Sequence, residues 1–185
     1  MNIVVRTYGG HTVVRPDTTW ERDGDDLYVP EFIGSLSYAP VFTAHICKAG
    51  KSVSPRFADR YIDAIGFGVL LYPDELLDGS EEGFASASCL DHSSFIVPPA
   101  LECGCTAPSL ELLRDGVKIF SSGALDAALL RDALCTATRT CFVRRGDILA
   151  VEIGRREALC RREAGECRIS EHHCGQKASD YKIIF

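Results

Sequence analysis

The stretch SLSYAPVFTAHI, residues 35–46, is the most informative about the fold, because its second half alternates between two faces in the manner of a strand. The face that holds Phe42, Ala44 and Ile46 is apolar, which predicts a strand with one face buried in a core. Residues 39–41, Ala-Pro-Val, offer no side chain that could bind a ligand or react. The stretch therefore predicts a wall of the fold rather than a place where chemistry occurs.

The composition is that of one globular domain spanning residues 1–185. An apolar fraction of 46% is enough to build a core at this length without disulfides or metals as supports. The formal net charge of −6 argues against nucleic acid as a partner, because a polyanion would be repelled by the chain as a whole.

The nine cysteines bear on the cellular compartment. Residues 1–10 lack the apolar run of a signal peptide, and the longest apolar stretch, residues 64–72, is about half a membrane span. We therefore expect a cytoplasmic protein that contacts no membrane and keeps its thiols reduced, most of them as small buried apolar groups. A secreted, disulfide-bonded protein is the alternative.

The first part of the chain predicts antiparallel strands, including an edge strand at 27–32 that tolerates a proline. A helix is predicted after this part, from the capping residue Ser54 and Pro55 to a stop at Gly66. A buried strand is expected at 69–72. Together these patterns favour an α+β, β-rich fold.

The second part predicts a polar loop at 73–95 and a hairpin around Asp115–Gly116, the strongest short hairpin signal in the chain. A second helix is expected at 125–139, followed by strands at 146–154 and 181–185. Few helices and many strands are therefore expected throughout.

The cysteines and histidines near the end of the chain are a candidate zinc site. Thiolates and imidazoles are the ligands that zinc prefers, and the residues in question are Cys160, Cys167, His172, His173 and Cys174. The seven-residue spacing of the cysteines matches no usual zinc knuckle, so buried or surface thiols are the simpler interpretation.

Two acidic patterns are candidate catalytic sites. Asp91-His92-Ser93 places an acid, a base and a hydroxyl in a row, but neighbouring side chains of an extended segment point in opposite directions, which argues against a relay. Asp74 and Glu75 follow a proline and are typical of the start of a helix or turn.

The order of these pieces resembles the fumarylacetoacetate hydrolase (FAH) family in its short single-domain form. The most specific part is KAGKSVSPRFADRYIDAIGFGV, residues 48–69. Weaker similarities continue at RTY (6–8), SCLDHSS (88–94) and RRGDILA (144–150), so the resemblance covers almost the whole chain. It implies an FAH-like fold, a mixed β-sandwich or β-roll with a few short helices.

The resemblance also implies where a metal site would be. Active members hold Mg²⁺ or Mn²⁺ with two glutamates at positions i and i+2 of one strand and with an aspartate from a later strand. The metal chelates a 2-oxo acid and polarises its carbonyl group. These three positions fall on Ala39, Val41 and Leu70, so the resemblance implies that the metal ligands are lost.

Other functional positions of the family are altered as well. The catalytic lysine falls on Ser88, and the substrate-binding segment begins at Val151. The segment that bears a general-base His–Glu pair in many members is shortened to GGH, with His11 as a candidate remnant. The resemblance therefore implies degenerate catalytic positions.

Four residues are candidate remnants of a ligand pocket. They are Arg6, Tyr8, Asp91 and Glu152, each of which lies within a segment that matches a family motif. The sequence does not identify the ligand that they would bind.

Three hypotheses follow. In the first, the chain is a homodimeric binding or structural protein that needs no cofactor and has lost the metal chemistry. In the second, it is a metal-dependent hydrolase, isomerase or decarboxylase of 2-oxo acids that holds Mg²⁺ or Mn²⁺ with other carboxylates, drawn from Asp74, Glu75, Asp91 and Glu152. In the third, the Cys/His cluster binds zinc.

Overall fold

The computed structural model of the chain describes residues 1–102 and 108–185. The strands in these residues are β1 (Ile3–Arg6), β2 (Thr12–Arg15), β3 (Trp20–Glu21), β4 (Leu27–Tyr28), β5 (Ser35–Ile46), β6 (Ile62–Pro73), β7 (Ser94–Ile96), β8 (Leu101–Glu102), β9 (Leu110–Arg114), β10 (Val117–Ser121), β11 (Ile148–Glu152), β12 (Glu157–Arg161), β13 (Glu166–His173) and β14 (Gln176–Ile184). The α-helices are α1 (Glu81–Ala87) and α2 (Ala128–Ala137), and short 3₁₀ helices occur at Asp17–Thr19, Pro55–Arg60, Asp74–Leu76 and Arg162–Ala164. The predicted β-rich α+β class is confirmed.

Strand β5 lies inside the larger of two sheets. The order of this sheet is β2-β1-β11-β5-β6-β7-β3, with β12 also paired to β5 and β8 to β6. One edge of β5 pairs with β6 along almost its full length, while the other pairs with β12 and then with β11. The predicted strand is confirmed.

Pro40 marks the point on β5 where the partner changes. Strand β12 pairs with residues 35–38 and β11 with residues 41–45, so neither ladder reaches Pro40. The Pro40 carbonyl accepts a hydrogen bond from the backbone N–H of Ile153 (3.0 Å). A proline fits here because it has no N–H to leave without a partner.

The helix predicted from Ser54 to Gly66 is wrong. Within this segment the helical part is the 3₁₀ helix Pro55–Arg60, and β6 begins at Ile62. The glycines of this segment are strand residues that allow close approach, since a Cβ on Gly68 would lie 2.4 Å from the Phe95 carbonyl oxygen. Pairing with β5 over the whole strand outweighs the local helical pattern.

The smaller sheet has the order β10-β9-β13-β14-β4. The predicted hairpin at Asp115–Gly116 is confirmed, and both turn residues have positive φ angles of 50° and 79°. The expected edge strand at 27–32 is reduced to β4, which pairs with β14. The predicted second helix corresponds to α2.

Residues 73–95, predicted to be a loop, contain α1. The Ser80 hydroxyl caps this helix by accepting a hydrogen bond from the Gly83 backbone N–H (2.9 Å). In the described part of the chain, no helix is long and apolar enough to cross a membrane.

The large sheet has an apolar cluster on each face. The main core lies on the face that holds Phe42, where that ring stacks on Phe67 (5.2 Å between centroids), and it continues to Tyr181 of the smaller sheet. The second cluster, which we call the minor core, consists of Ile3, Val5, Ala39, Val41, Leu70, Tyr72, Ala87, Ile96, Ile148 and Ala150. Helix α1 contributes Ala87 to the minor core and packs Phe84 against it.

Candidate functional site

The three positions that the resemblance assigned to metal ligands lie side by side in the minor core. Ala39 is paired with Leu70 across β5 and β6, and Val41 follows on the same face of β5. All three side chains are fully buried, with 0% exposure. Their neighbours in the cluster are other alkyl groups and the Tyr72 ring.

A cleft of about 940 Å³ opens beside the minor core. We call it the Glu152 cleft, and it lies between the β1–β2 turn, the start of α1 and the segment after β11. The side chains that define it are Tyr8, His11, Ser80, Glu81, Phe84, Glu152, Arg155 and Arg156. It thus combines two carboxylates, an imidazole, two guanidinium groups and two aromatic rings.

Glu152 lies at the base of this cleft and is only 6% exposed. One carboxylate oxygen accepts a hydrogen bond from the Tyr8 backbone N–H (2.7 Å), and the other accepts one from the Tyr72 hydroxyl (2.8 Å). Burial raises the pKa of Tyr72, and the neighbouring Glu152 carboxylate raises it further. Tyr72 therefore keeps its proton and donates it to this hydrogen bond.

Arg15, at the end of β2, is a completely buried arginine. Its guanidinium group donates hydrogen bonds to the carbonyl oxygens of Ser88 and Leu71 and to the Ser93 hydroxyl, each at 2.9 Å. It also lies 4.9 Å from the centre of the Tyr72 ring, in cation–π geometry. Burial lowers the pKa of Arg15, although an arginine remains charged at any physiological pH.

Two further arginines line the Glu152 cleft. Arg156 lies 4.9 Å from the centre of the Phe84 ring and 5.2 Å from that of Tyr72, and these two rings stack on each other at 5.7 Å. Arg155 lies 5.8 Å from the centre of the Tyr8 ring. Both arginines are exposed, as the mixed charges of their segment suggest, but they also face a cavity.

The structure brings together three of the residues singled out from the sequence, namely Tyr8, His11 and Glu152. Arg6 is half-buried on β1 and does not line the cleft, while Val151 packs into the main core. No sequence pattern indicates Arg15, because strand alternation does not show which polar residue becomes buried.

Ser88 and Asp91 lie outside the Glu152 cleft. Ser88 is buried at the end of α1, where its hydroxyl donates to the Phe84 carbonyl oxygen (2.8 Å). Asp91 is exposed in a separate groove of about 830 Å³, together with Glu21 and His92. His92 pairs with Glu21 (2.9 Å), so Asp91-His92-Ser93 forms no relay, as expected.

The suggested zinc ligands are dispersed. Cys160 and Cys167 are neighbours, whereas His172 and Cys174 lie at the other end of β13 and in the turn that follows it. Within residues 1–102 and 108–185, no three His, Cys, Asp or Glu side chains are grouped so that they could hold a metal.

The architecture defines a class of protein, since the chain has an FAH-like fold. It is similar to a protein of Yersinia pestis CO92 assigned to the fumarylacetoacetate hydrolase family, with 18% identity, a TM-score of 0.80 and coverage of 99% of this chain and 92% of that one. No protein-family model and no curated protein matches the sequence.

Two similar structures are those of named enzymes. Fumarylpyruvate hydrolase from Pseudomonas aeruginosa, in complex with Mn²⁺ and pyruvate, has 16% identity, a TM-score of 0.80 and coverage of 100% of this chain and 90% of that one. 2-Hydroxyhepta-2,4-diene-1,7-dioate isomerase from Mycobacterium marinum has 13% identity, a TM-score of 0.80 and coverage of 99% and 74%. At these identities the likeness shows the fold alone.

The minor core does not fit a divalent metal at the positions that the resemblance indicates. Mg²⁺ and Mn²⁺ need several oxygen ligands in a well-defined geometry. Ala39, Val41 and Leu70 supply only methyl and methylene groups, and all three are packed without exposure. A dication at this place would lose its hydration and gain no ligand in return.

Proposed function

We propose that this chain is a non-catalytic protein with an FAH-like fold, which acts by binding rather than by metal-dependent chemistry. The observation that carries the proposal is the burial of Ala39, Val41 and Leu70 in the minor core. Loss of one ligand weakens a carboxylate-bound Mg²⁺ site, and alkyl groups at three positions leave no charge there to attract the ion.

The dispersal of the remaining carboxylates also supports this proposal. Glu152 accepts two hydrogen bonds in its cleft, and Asp91 lies in the separate groove. Asp74 and Glu75 bond to the hydroxyls of Ser37 and Ser35 on β5. An enzyme with rearranged Mg²⁺ or Mn²⁺ ligands would have to move these groups together.

The Glu152 cleft is the proposed binding site. Its volume of about 940 Å³ lies within the range of small-molecule pockets. The fixed carboxylate of Glu152 at its base and the guanidinium groups of Arg155 and Arg156 at its rim offer both acceptors and donors to a polar ligand.

We further propose that the protein is a cytoplasmic homodimer with reduced thiols. The dimer is an expectation from the family resemblance. The molecular mass of the protein can be measured by light scattering after gel filtration, and a mass equal to that of one chain at micromolar concentration would contradict the dimer.

A thermal-shift titration tests the loss of metal chemistry. The purified protein is heated with Mg²⁺ or Mn²⁺, each with and without oxalate as a mimic of a 2-oxo acid, and the Pseudomonas aeruginosa fumarylpyruvate hydrolase serves as the positive control. Because a ligand of the native state raises the melting temperature, we expect a shift for the control and none for this protein. A rise with Mn²⁺ that oxalate enlarges, or metal-dependent turnover of an acylpyruvate or oxaloacetate, would overturn the proposal.

A further inference from the structure

Two cysteines meet at the corner where the chain passes from the large sheet to the small one. Cys160 lies on β12, which pairs with β5 in the large sheet, and Cys167 lies on β13 in the small sheet. The short helix Arg162–Ala164 and Gly165, with a φ of 75°, turn the chain back between them. The two thiol groups are neighbours, and both line one cavity.

The thiol pair is accessible to small molecules. Cys160 is half-buried and Cys167 is buried, but both line a cavity of about 370 Å³. Exposed Asp115 and Arg161 line the same cavity, which therefore opens to solvent. A molecule as small as a peroxide can reach the sulfur atoms by this opening.

The surroundings of the pair make the two thiols unequal. The neighbouring Cys160 thiol lowers the pKa of Cys167, against burial and the Asp115 carboxylate, which both raise it. The neighbouring Cys167 group raises the pKa of Cys160, with burial acting in the same direction. Cys167 is thus the thiol that ionises first, and Cys160 retains its proton.

The geometry points to Cys160 and Cys167 as a dithiol modification site that hydroperoxides oxidise to a disulfide. The Cys167 thiolate attacks one oxygen of hydrogen peroxide, the O–O bond breaks, and a sulfenic acid forms while hydroxide leaves and takes up a proton as water. The Cys160 sulfur then attacks the Cys167 sulfur, the S–O bond breaks, and the Cys160 proton leaves in a second water. The thiols lose two electrons and the peroxide gains them.

Trypsin makes this proposal directly testable, because it cuts after Arg161, Arg162 and Arg168 and so separates the two cysteines. The full chain is treated with hydrogen peroxide, the remaining thiols are alkylated, and the digest is analysed without reduction by mass spectrometry. We expect peptide 157–161 to be joined to peptide 163–168, at the summed mass less two hydrogen atoms. Reduction with dithiothreitol should restore the separate peptides.

Substitution of single cysteines identifies which two thiols form the disulfide. We expect Cys160→Ser to abolish the linked peptide and to leave Cys167 as a sulfenic or sulfinic acid, whereas the exposed control Cys174→Ser should form the linked peptide as the parent does. Recovery of both peptides alkylated and unlinked in the parent protein, at a peroxide concentration that oxidises exposed Cys89, would overturn the proposal. Linkage of either cysteine to another partner would also overturn it. These outcomes do not depend on whether the Glu152 cleft binds a ligand.

Discussion

The minor core and the Glu152 cleft are neighbours with opposite chemistry. Leu70 and Tyr72 lie two residues apart on β6, yet Leu70 contributes only alkyl groups to an apolar wall, while the Tyr72 hydroxyl bonds to a buried carboxylate. This chain therefore lacks charge at the positions that the resemblance assigns to metal ligands but keeps buried polar groups within the same part of the fold. Substitutions in each region test whether this contrast determines stability.

The largest effect is expected from a charge placed in the minor core. Val41→Glu should lower the free energy of unfolding by at least about 4 kcal/mol, because a buried carboxylate would have no partner. The matched control is Val69→Glu, at a similarly buried position facing the main core. Both variants are compared by urea unfolding with and without Mn²⁺. Recovery of Val41→Glu alone by Mn²⁺ would show that the position still binds a cation.

A slightly smaller effect is expected from removal of the buried cation. Arg15→Met should cost about 3–5 kcal/mol, since the Ser88 and Leu71 carbonyls and the Ser93 hydroxyl would lose a charged donor without access to water. Arg22→Met, at an exposed arginine over the Trp20 ring, is the control and should cost less than about 1 kcal/mol. Equal losses from both variants, measured by urea unfolding, would contradict a structural role for Arg15.

The hydrogen bond from Tyr72 to Glu152 connects the minor core with the Glu152 cleft, and one substitution removes it. Tyr72→Phe keeps the ring in the minor core but removes the hydroxyl that donates to Glu152, so we expect a loss of about 1–3 kcal/mol. A double-mutant cycle with Glu152→Gln should give a coupling energy above about 0.5 kcal/mol. Additive effects would mean that the wall and the cleft are energetically independent.

The smallest effect is expected from an ion pair at the surface, which provides a reference for the buried groups. Arg168 donates two hydrogen bonds to Asp180 (2.6 and 2.7 Å) and holds the pKa of Asp180 well below its usual range. Asp180→Asn should cost roughly 1 kcal/mol at pH 7.

The pH dependence of that effect has a definite sign. Because the folded pKa of Asp180 is lowered, its stabilisation is present above the ordinary carboxyl pKa of about 4 and declines as the pH falls towards the lower folded value. The difference between the parent and Asp180→Asn should therefore shrink in acid, as measured by urea unfolding at several pH values. A difference that grows below pH 4 would contradict this assignment.

Strands and turns with strong local signals could be predicted from the sequence. The alternation of β5 and the Asp115–Gly116 hairpin rest on residue patterns that the final packing preserves. The helix predicted from Ser54 is absent because the Ser54 hydroxyl forms no capping hydrogen bond and Pro55 begins only a short 3₁₀ helix, after which pairing with β5 decides the conformation. Gly66, which in the sequence indicates a helix stop, lies within β6.

Part of the candidate site could be predicted from the sequence, because some of its residues lie in local motifs and others do not. Tyr8, His11 and Glu152 were found because their segments resemble family motifs, and they meet in one cleft. Arg15 could not be found, since its burial depends on carbonyl groups more than fifty residues away along the chain. Whether the altered positions abolish catalysis stays a prediction.

Arg15 has a consequence for how this protein depends on its surroundings. A metal ion that stabilises the interior of a protein can be removed by a chelator, and it is not bound where the metal is scarce. The free energy of unfolding of such a protein then falls with the metal concentration. The guanidinium group of Arg15 is synthesised with the chain and keeps its charge at every physiological pH. The charge beneath the Tyr72 ring is therefore present in every folded copy, whatever the nutritional state of the cell.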